Sequence, residues 1–350
     1  MINLRDLNEK ELKNFFKEQG EPAFRGSQVF EWLARGASSF SEMTNLSKAL
    51  QEKLSALEAG GEISLGNVRI LRKQQSREDG TVKYLFGLEP KDGEDPIAVE
   101  SVFMKYKYGN SICVSSQAGC RMGCAFCAST IGGLTRNLSP GEILGQIVAA
   151  EADMGEKINH IVIMGTGEPF DNYENIVKFI NLVHEPKGLG LSMRNITVST
   201  CGLVPRIGEF ASDLPQVNLA ISLHAPNTEL RSRLMPVNKS YPLPELLKAC
   251  RAYVEATNRR ITFEYALIAN LNDTPECAEE LANLLSGLLC HVNLIPLNEV
   301  SETGFSGSSP ERVKAFQKHL ESRGIPVTVR RRLGSDIDAA CGQLRLAHQK

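Results

Sequence analysis

The chain has 350 residues, of which 42% are hydrophobic and 23% charged, and its formal net charge is −2. These values are typical of a globular protein with one large core and room for a small accessory domain. They exclude nucleic-acid binding through an overall basic field, so any such contact has to come from local basic patches.

The nine cysteines are unevenly spread, and four of them fall within residues 113–127. An odd, clustered set of cysteines behind a charged opening segment that lacks an apolar leader predicts reduced thiols and a cytoplasmic protein. No apolar run approaches the length of a membrane span, which predicts a protein without membrane contact.

Residues 1–62 are predicted to form a small helical accessory domain. Asn8 and Glu11 have the spacing of a capping box, and an apolar stripe follows them. Ser27 precedes a second apolar stripe, and Ser47 is expected to begin a further helix. The pattern predicts a helical bundle packed on the main domain.

Residues 63–110 change to a strand pattern and are predicted to form an extension that leads into the main domain. Strand candidates occur at 67–71, 82–86 and 97–103. Asp79 and Gly80 predict a hairpin turn between the first two strands. Glu100 lies in the third strand, and an isolated glutamate on a strand is typical of a solvated face.

Three cysteines, Cys120, Cys124 and Cys127, form a C-x-x-x-C-x-x-C loop. Such a loop can wrap three thiolates around one face of an iron–sulfur cluster and leave one iron open for a chelating cosubstrate. With Cys113 as a fourth ligand, the same residues could close a tetrahedral zinc site. The residues alone therefore leave two metal centres open, an iron–sulfur cluster and a structural zinc.

Residues 111–332 are predicted to form an α/β domain of about six strand-then-helix units. The strand candidates are 112–115, 158–164, 196–199, 217–223, 261–265 and 292–296. Ser139, Pro140 and Glu142 are typical of a helix start. This alternation predicts a parallel sheet that curls into a partial (β/α)6 TIM-like barrel.

Sites in such barrels gather at the carboxyl ends of the strands. The candidate site positions that fall at or after predicted strand ends are Cys120, Gly167, Ser199, His224 and Asn298. Gly167 and Glu168 follow an apolar strand, where a glycine lets the backbone approach a ligand and a carboxylate can receive an ammonium group. A Gly-Glu pair by itself is also typical of a simple turn.

Residues 333–350 are predicted to form an irregular tail, after one more possible strand at 327–330. Cys341 lies between Ala340 and Gly342 in this tail. A thiol flanked by small residues in a mobile segment can be carried to a site, although a lone tail cysteine is by itself more typical of an inert side chain.

The Cys loop at 113–127 is part of a wider pattern of motifs. It is followed by Met-Gly-Thr-Gly-Glu-Pro at 164–169, Ala-Ile-Ser-Leu-His-Ala-Pro-Asn at 220–227 and Gly-Ser-Asp-Ile-Asp-Ala-Ala-Cys-Gly-Gln-Leu at 334–344. Together these motifs resemble the dual-specificity 23S rRNA and tRNA adenine-C2 methyltransferases of bacteria, which belong to the radical S-adenosylmethionine superfamily. The resemblance covers nearly the whole chain.

This resemblance implies one [4Fe–4S] cluster on Cys120, Cys124 and Cys127, with S-adenosylmethionine at the open iron. The implied cosubstrate contacts are Gly167, Glu168, Ser199, Ser222, Leu223, His224 and Asn298. They offer hydroxyl, imidazole and amide partners for the ribose, adenine and carboxylate of the cosubstrate.

The resemblance also implies three catalytic residues. Cys341 would take a methyl group from one S-adenosylmethionine, and a radical made from a second would activate that methyl for addition to adenine. Cys113 would then form a transient disulfide with Cys341 and so release the methylated base. Glu100 is the implied proton acceptor, a role that a Cys113 thiolate could share.

The implied partners are 23S rRNA, tRNA and an electron donor such as flavodoxin or ferredoxin, with the chain acting as a monomer and its helical domain docking RNA. Candidate phosphate contacts are Lys105, Lys107, Arg121, Arg136, Arg330, Arg331 and Arg332. Two alternatives stay open: a C8 adenine rRNA methyltransferase that confers antibiotic resistance, and a non-catalytic RNA-binding protein stabilised by zinc.

Overall fold

The computed structural model describes residues 1–88, 97–297, 304–331, 333–334 and 336–337. Its first elements are β1 (Ile2–Asn3), α1 (Glu9–Glu18), α2 (Phe24–Ala34), α3 (Lys48–Ala59) and β2 (Ile63–Ser64). The three helices enclose their own hydrophobic cluster, which is distinct from the main core. This helical unit contacts the main domain where the Asp6 carboxylate accepts a hydrogen bond from Gly141 N at 2.6 Å.

In the helical unit, the predicted starts of the first and third helices are confirmed. Asn8 and Glu11 form the reciprocal capping box, and the Ser47 side chain accepts from Leu50 N. The second helix begins at Phe24, before Ser27. Ser27 therefore lies inside this helix, and its hydroxyl donates to Glu9 instead of capping the helix.

The next elements are β3 (Arg69–Gln75), β4 (Val82–Leu88), β5 (Ile97–Tyr106), β6 (Gly109–Cys113), β7 (Gln117–Gly119) and β8 (Leu134–Asn137). Strands β3, β4, β5 and β6 pair antiparallel in succession. The turn at Asp79 and Gly80 is confirmed, and Gly80 has a left-handed φ of 73° that suits a glycine. Strands β7 and β8 form a separate two-stranded sheet around the Cys loop.

The rest of the described chain alternates helices and strands. Its elements are α4 (Pro140–Met154), β9 (His160–Ile163), α5 (Tyr173–His184), β10 (Ile196–Thr200), α6 (Val204–Asp213), β11 (Asn218–Ser222), α7 (Thr228–Leu234), α8 (Leu243–Thr257), β12 (Ile261–Leu267), α9 (Pro275–Leu285), β13 (Cys290–Pro296), α10 (Pro310–Ser322) and β14 (Val327–Val329). The helix start at Ser139 is confirmed as a capping box with Glu142.

One ten-stranded sheet connects both halves of the main domain. From β6 the order continues through β9, β10, β11, β12, β13 and β14, all parallel, so the predicted parallel sheet is confirmed. Arg330, just after β14, acts electrostatically on Cys113 of β6, although several strands separate them in the sheet. The sheet therefore curls back on itself as the partial barrel requires. Among the described helices, none has the length and apolarity needed to cross a membrane.

Candidate active site

A cavity of about 350 Å³ opens at the carboxyl ends of the parallel strands. That volume falls in the usual range for a site that holds a small organic ligand. Predicted site residues that line it are Glu100, Cys113, Cys120, Cys124, Cys127, Gly167, Glu168, Ser199, Ser222 and His224. The fold thus brings together residues that lie far apart in the sequence.

Three further predicted site residues remain, of which only Leu223 is described. The Leu223 side chain is fully buried in the main hydrophobic core. Asn298 and Cys341 lie outside the described residues. Nothing in the geometry below depends on these last two residues.

The loop from Cys120 to Cys127, together with the ends of β9, β10 and β11, forms one side of the cavity, here called the cluster wall. Backbone hydrogen bonds hold the loop at both ends, from Cys120 N to Gly133 O at 3.0 Å and from Ala125 N to Leu234 O at 2.9 Å. The Arg121 guanidinium pairs with Asp171, which also accepts from Gln117. The loop is therefore fixed in place by the fold itself.

The thiols of the loop fit an iron–sulfur cluster by their chemistry. Burial, with Glu168 adding repulsion, raises the pKa of Cys120 to about 12, and burial beside the other two thiols raises the pKa of Cys124 as well. Protonated thiols bind metals poorly, so a bound metal has to supply the positive charge that turns them into thiolates.

The spacing of these side chains also matters. In the described part of the chain, no three His, Cys, Asp or Glu side chains converge tightly enough to hold a single metal ion. A cubane cluster takes one cysteine per iron, so its ligands are set farther apart than those around a single ion. The three cysteines that line one cavity are compatible with that wider arrangement.

Glu168 lies buried on the cluster wall, just after β9. Its carboxylate accepts hydrogen bonds from Phe170 N at 3.0 Å and from Cys201 N at 2.8 Å. Burial outweighs these bonds and raises the pKa of Glu168. The Glu168 carboxylate is therefore already oriented for a cationic ligand, and the positive charge of that ligand would stabilise its ionised form.

Gly167 has a φ of 112°, and a Cβ there would lie 2.6 Å from Gln117 Cβ. Packing against Gln117 is therefore sufficient to require a glycine at this position. The Gln117 side chain also accepts a hydrogen bond from Glu168 N at 2.8 Å. Gln117, which the sequence patterns did not single out, thus fixes the whole Gly-Glu turn.

His224 is held in an unusual backbone conformation with a φ of 56°. Its Nδ1 accepts from Ala266 N at 2.9 Å, which leaves Nε2 as the N–H donor. Burial and the nearby Arg231 lower the pKa of His224 to about 3, so the ring is neutral. The adjacent Ser199 and Ser222 hydroxyls lie 3.4 Å apart. These groups offer neutral donors and acceptors to a ligand.

A second part of the cavity lining, here called the hairpin wall, consists of Glu100 on β5 and Cys113 on β6, with Lys83 on β4 paired to Glu100 behind it. The Lys83 Nζ and Glu100 Oε2 atoms are 3.2 Å apart, and the two side chains are only 0% and 3% exposed. The expectation of a solvated face for a lone strand glutamate is therefore wrong here, because Glu100 forms a buried ion pair. Arg330 reaches this wall from beyond β14.

The main charged groups acting on Cys113 differ from those acting on the Cys loop. Burial raises its pKa, while Arg330 and Lys83 oppose that rise and Glu100 adds to it. The charged groups acting on Cys120 and Cys124 include Glu168, Asp171, Arg231 and the other loop thiols. Cys113 thus belongs to the charged hairpin wall, and the loop cysteines form a group of their own.

Gln146 of α4 connects the residues behind the cavity. Its Oε1 accepts from Ser101 Oγ at 2.7 Å and from Ser115 N at 2.9 Å, and its Nε2 donates to Ser115 O at 3.0 Å. The Ser115 hydroxyl in turn donates to Glu100 O. The helical periodicity of α4 gave no signal for this role, since Gln146 looks like an ordinary polar position.

Two further buried groups were missed by the sequence patterns. Lys83 lies in an alternating strand, where the pattern puts a lysine on the solvent face, yet β4 is covered on both faces. Glu264 of β12 lines the cavity and accepts from Asn293 at 2.8 Å. A charged residue within an apolar strand is the signal that could have identified both.

Of the predicted RNA contacts, Arg330 and Arg331 line the cavity and are exposed. Lys105 pairs with Glu156, and Arg136 pairs with Glu142 at 2.7 Å. Lys107 is exposed at the hairpin between β5 and β6, and Arg332 lies outside the described residues.

Comparisons with known proteins identify the family of this chain. Residues 2–59 match the ribosomal RNA large subunit methyltransferase N-terminal domain, and residues 114–285 match the radical SAM superfamily. A radical SAM methyltransferase from Sphaerobacter thermophilus superposes with a TM-score of 0.91 at 46% identity, over 98% of this chain and 99% of that one. The predicted fold class is thereby confirmed.

Two curated relatives extend the match over the full length. The probable dual-specificity RNA methyltransferase RlmN of Desulforamulus reducens is 53% identical over 99% of this chain and 97% of its own. That of Caldanaerobacter subterraneus subsp. tengcongensis is 52% identical over 100% of this chain and 99% of its own. Radical SAM enzymes use a [4Fe–4S] cluster and S-adenosylmethionine. This chain belongs to the RlmN family of dual-specificity RNA methyltransferases, within the radical SAM superfamily.

Proposed function

We propose that this enzyme methylates C2 of an adenosine in the peptidyl transferase centre of 23S rRNA and of the adenosine 3′ to the anticodon in tRNA. The observation that carries the proposal is a single cavity with two unlike walls. The cluster wall supplies three thiols, and the hairpin wall supplies an ion-paired carboxylate and a separate thiol. Membership of the family excludes the non-catalytic zinc protein.

In this proposal Cys120, Cys124 and Cys127 hold the [4Fe–4S] cluster, and S-adenosylmethionine occupies the cavity beside them. Glu168 receives the ammonium group of the cosubstrate, because its carboxylate is already fixed by two backbone N–H groups. His224, Ser199 and Ser222 orient the ribose and adenine, with Asn298 and the backbone of Leu223 completing the set. When bound, the cluster and cosubstrate supply the carbon radical that an electron-poor C2 position requires.

The protein's own residues then transfer the methyl group, remove the proton and release the Cys341 sulfur from the product. Cys341 takes a methyl group from one S-adenosylmethionine, loses a hydrogen atom from that methyl to the radical, and bonds through the resulting carbon to C2 of adenine. The adduct gives up one electron, which the oxidised cluster would accept when bound, and Glu100 accepts the C2 proton. Cys113 attacks the Cys341 sulfur to form a disulfide, and the electron pair of the broken S–C bond takes up a proton to complete the methyl group.

The position of Cys113 supports its separate role. It lies beside Glu100 and Lys83, apart from the loop thiols, so the proton acceptor and the attacking thiol are adjacent. Arg330 and Arg331 at the cavity mouth carry the charge that suits an RNA phosphate. We further propose that the enzyme acts as a monomer in the cytoplasm, where flavodoxin or ferredoxin reduces the cluster.

The product decides between this proposal and its nearest rival. Substrate RNA from a strain that lacks the gene is incubated with the reconstituted enzyme, reductant and S-adenosylmethionine, and its nucleosides are weighed. We expect 2-methyladenosine in both 23S rRNA and tRNA. A finding of 8-methyladenosine alone would identify the antibiotic-resistance type of enzyme instead. The Cys127→Ala variant is the control for methylation by contaminating enzymes.

A further inference from the structure

Two tyrosines stack on each other at the hairpin between β5 and β6. The rings of Tyr106 and Tyr108 are nearly parallel, at 7°, with centroids 4.9 Å apart. Tyr108 also meets the edge of His160 at 5.2 Å, which steadies it from the side. Despite these contacts Tyr108 is 66% exposed. A rigid aromatic face is therefore presented to solvent.

This tyrosine pair lies at the amino-terminal edge of the parallel sheet, next to the first residues of β6 and β9, and borders the cavity through Met104. Tyr106 donates to Met104 Sδ at 3.7 Å, and Met104 lines the cavity. Arg330 and Arg331, which also line the cavity, lie close enough to act electrostatically on the Tyr106 hydroxyl. A ligand that reaches the cavity from this edge of the sheet would therefore pass beside both the aromatic face and the two guanidinium groups.

The hairpin is built to hold the pair in this position. Tyr106 pairs with Gly109 across the turn, and Gly109 has a φ of 126° that only glycine adopts readily. A Cβ there would lie 2.6 Å from Asn159 Oδ1, which leaves no room for another residue. The hairpin is also fixed by Asn110 N, which donates to Asn159. The tyrosine face is thus preorganised before any ligand arrives.

The surrounding charge indicates what would cover this face. Lys107, Arg330 and Arg331 are exposed around the two tyrosines, and an aromatic face bordered by cations suits a nucleobase attached to phosphates. An apolar protein partner would not need these cations. Specific RNA recognition commonly stacks splayed bases on aromatic side chains in this way.

We propose that Tyr108, backed by Tyr106, is a stacking platform for a nucleotide next to the target adenosine, which it holds unstacked while the target enters the cavity. The inference rests on the proposed function, since the target adenosine defines which nucleotide is adjacent. It adds a specificity-determining contact on the RNA that is separate from the chemistry of methyl transfer.

Binding to an unmodified tRNA transcript tests the proposal without any chemistry. The transcript carries 2-aminopurine beside the target adenosine, and binding is followed without reductant by its fluorescence. Stacking on Tyr108 should quench the probe. Tyr108→Ala should weaken binding about 5- to 100-fold and abolish the quenching, because a base stacked on an aromatic ring contributes that much affinity. Tyr108→Phe and Tyr108→Trp should retain both.

Several controls make the result decisive. Leu289→Ala removes another exposed apolar side chain, 48% exposed and outside the cavity lining, and should bind as the parent does. Melting temperatures show whether each variant is folded. The inference fails if Tyr108→Ala binds and quenches normally, or if Tyr108→Phe loses as much as Tyr108→Ala. If the parent enzyme itself does not bind the transcript, the proposed tRNA substrate is wrong instead.

Discussion

The two walls of the cavity differ in whether their acidic groups are already compensated by a positive charge. On the cluster wall, burial raises the pKa values of Cys120, Cys124 and Glu168, and His224 is neutral. On the hairpin wall, Glu100 is paired with the buried Lys83. Although the buried Arg231 lies near it, the cluster wall would therefore be stabilised by further positive charge from a ligand, while the hairpin wall already contains a paired cation.

Because of this difference, the cluster wall is suited to binding the cofactors and the hairpin wall to the later steps of the reaction. A cluster and a sulfonium cosubstrate both bring positive charge, which stabilises the thiolates and the Glu168 carboxylate that bind them. The hairpin wall needs no such ligand to keep a carboxylate in place beside Cys113. Removing a residue from the cluster wall should therefore abolish cofactor binding, and removing one from the hairpin wall should leave the cofactors bound.

The largest expected effect follows from a change on the cluster wall. Cys124→Ala should lose essentially all iron and reduce cleavage of S-adenosylmethionine to the background rate, because the cosubstrate loses the metal that anchors it. Iron content and 5′-deoxyadenosine formation after anaerobic reconstitution measure both. Cys341→Ala is the matched cysteine control and should keep its cluster. Equal loss of iron in the two variants would make the tail cysteine a ligand and refute the assignment.

A change on the hairpin wall should stall catalysis later. Cys113→Ala should keep the cluster, form the radical and attack RNA, and then remain joined to RNA through Cys341, since no thiol is left to accept the tail sulfur. Turnover should fall by at least about 100-fold. Nuclease digestion followed by the mass of the intact protein detects the retained nucleotide.

Two other outcomes of the Cys113→Ala experiment would assign this residue differently. A clean polypeptide mass with normal turnover means that Cys113 is a packed strand thiol, whose loss costs only about 1–2 kcal/mol of folding free energy. Loss of iron means that it is a fourth metal ligand. Its electrostatic neighbours are Arg330, Lys83 and Glu100 rather than the loop thiols, which argues against that last outcome.

Sequence reasoning recovered the parallel strands and the capped helices because these depend on local patterns. The apolar runs that became β9 to β13 and the capping boxes at Asn8 and Ser139 are local signals of this kind. Motif resemblance brought the loop cysteines, Gly167 and Glu168 to one site, and the structure has them lining one cavity.

What sequence reasoning missed depends on contacts between distant segments. Lys83 looks solvated in its own strand and becomes buried only because both faces of β4 are covered in the folded chain, in part by α4. Gln146 connects to Ser115 across 31 positions of sequence. The Leu223 side chain, expected at the cosubstrate, packs in the core because it alternates with Ser222 on the strand end. No local pattern encodes such partners.

A third change tests the buried ion pair of the hairpin wall. Lys83→Met leaves the Glu100 carboxylate buried without its cation and should lower the free energy of unfolding by about 3–5 kcal/mol. Lys83→Met combined with Glu100→Gln should recover most of that loss, since the uncompensated charge is then gone. Urea denaturation of the parent, both single variants and the double variant measures the coupling. Additive losses would show that the two side chains do not stabilise each other.

The smallest expected effect concerns the pH dependence of adduct release. Only the thiolate of Cys113 attacks, and burial raises its pKa, so the release rate should rise about tenfold per pH unit between pH 7 and the raised pKa. Arg330 opposes that rise, whereas Lys83 and Glu100, the other charged groups facing Cys113, are paired with each other. Arg330→Gln should therefore move the release profile to higher pH.

Arg331→Gln serves as the matched control for this change. Both arginines line the mouth of the cavity, so either variant loses one charge for RNA, but Arg330 is the one that acts on Cys113. Rapid-quench measurement of adduct decay at several pH values separates release from RNA binding. The profile of Arg331→Gln should match that of the parent. If both variants shifted equally, the effect would come from RNA binding, and Arg330 would have no specific influence on the Cys113 thiol.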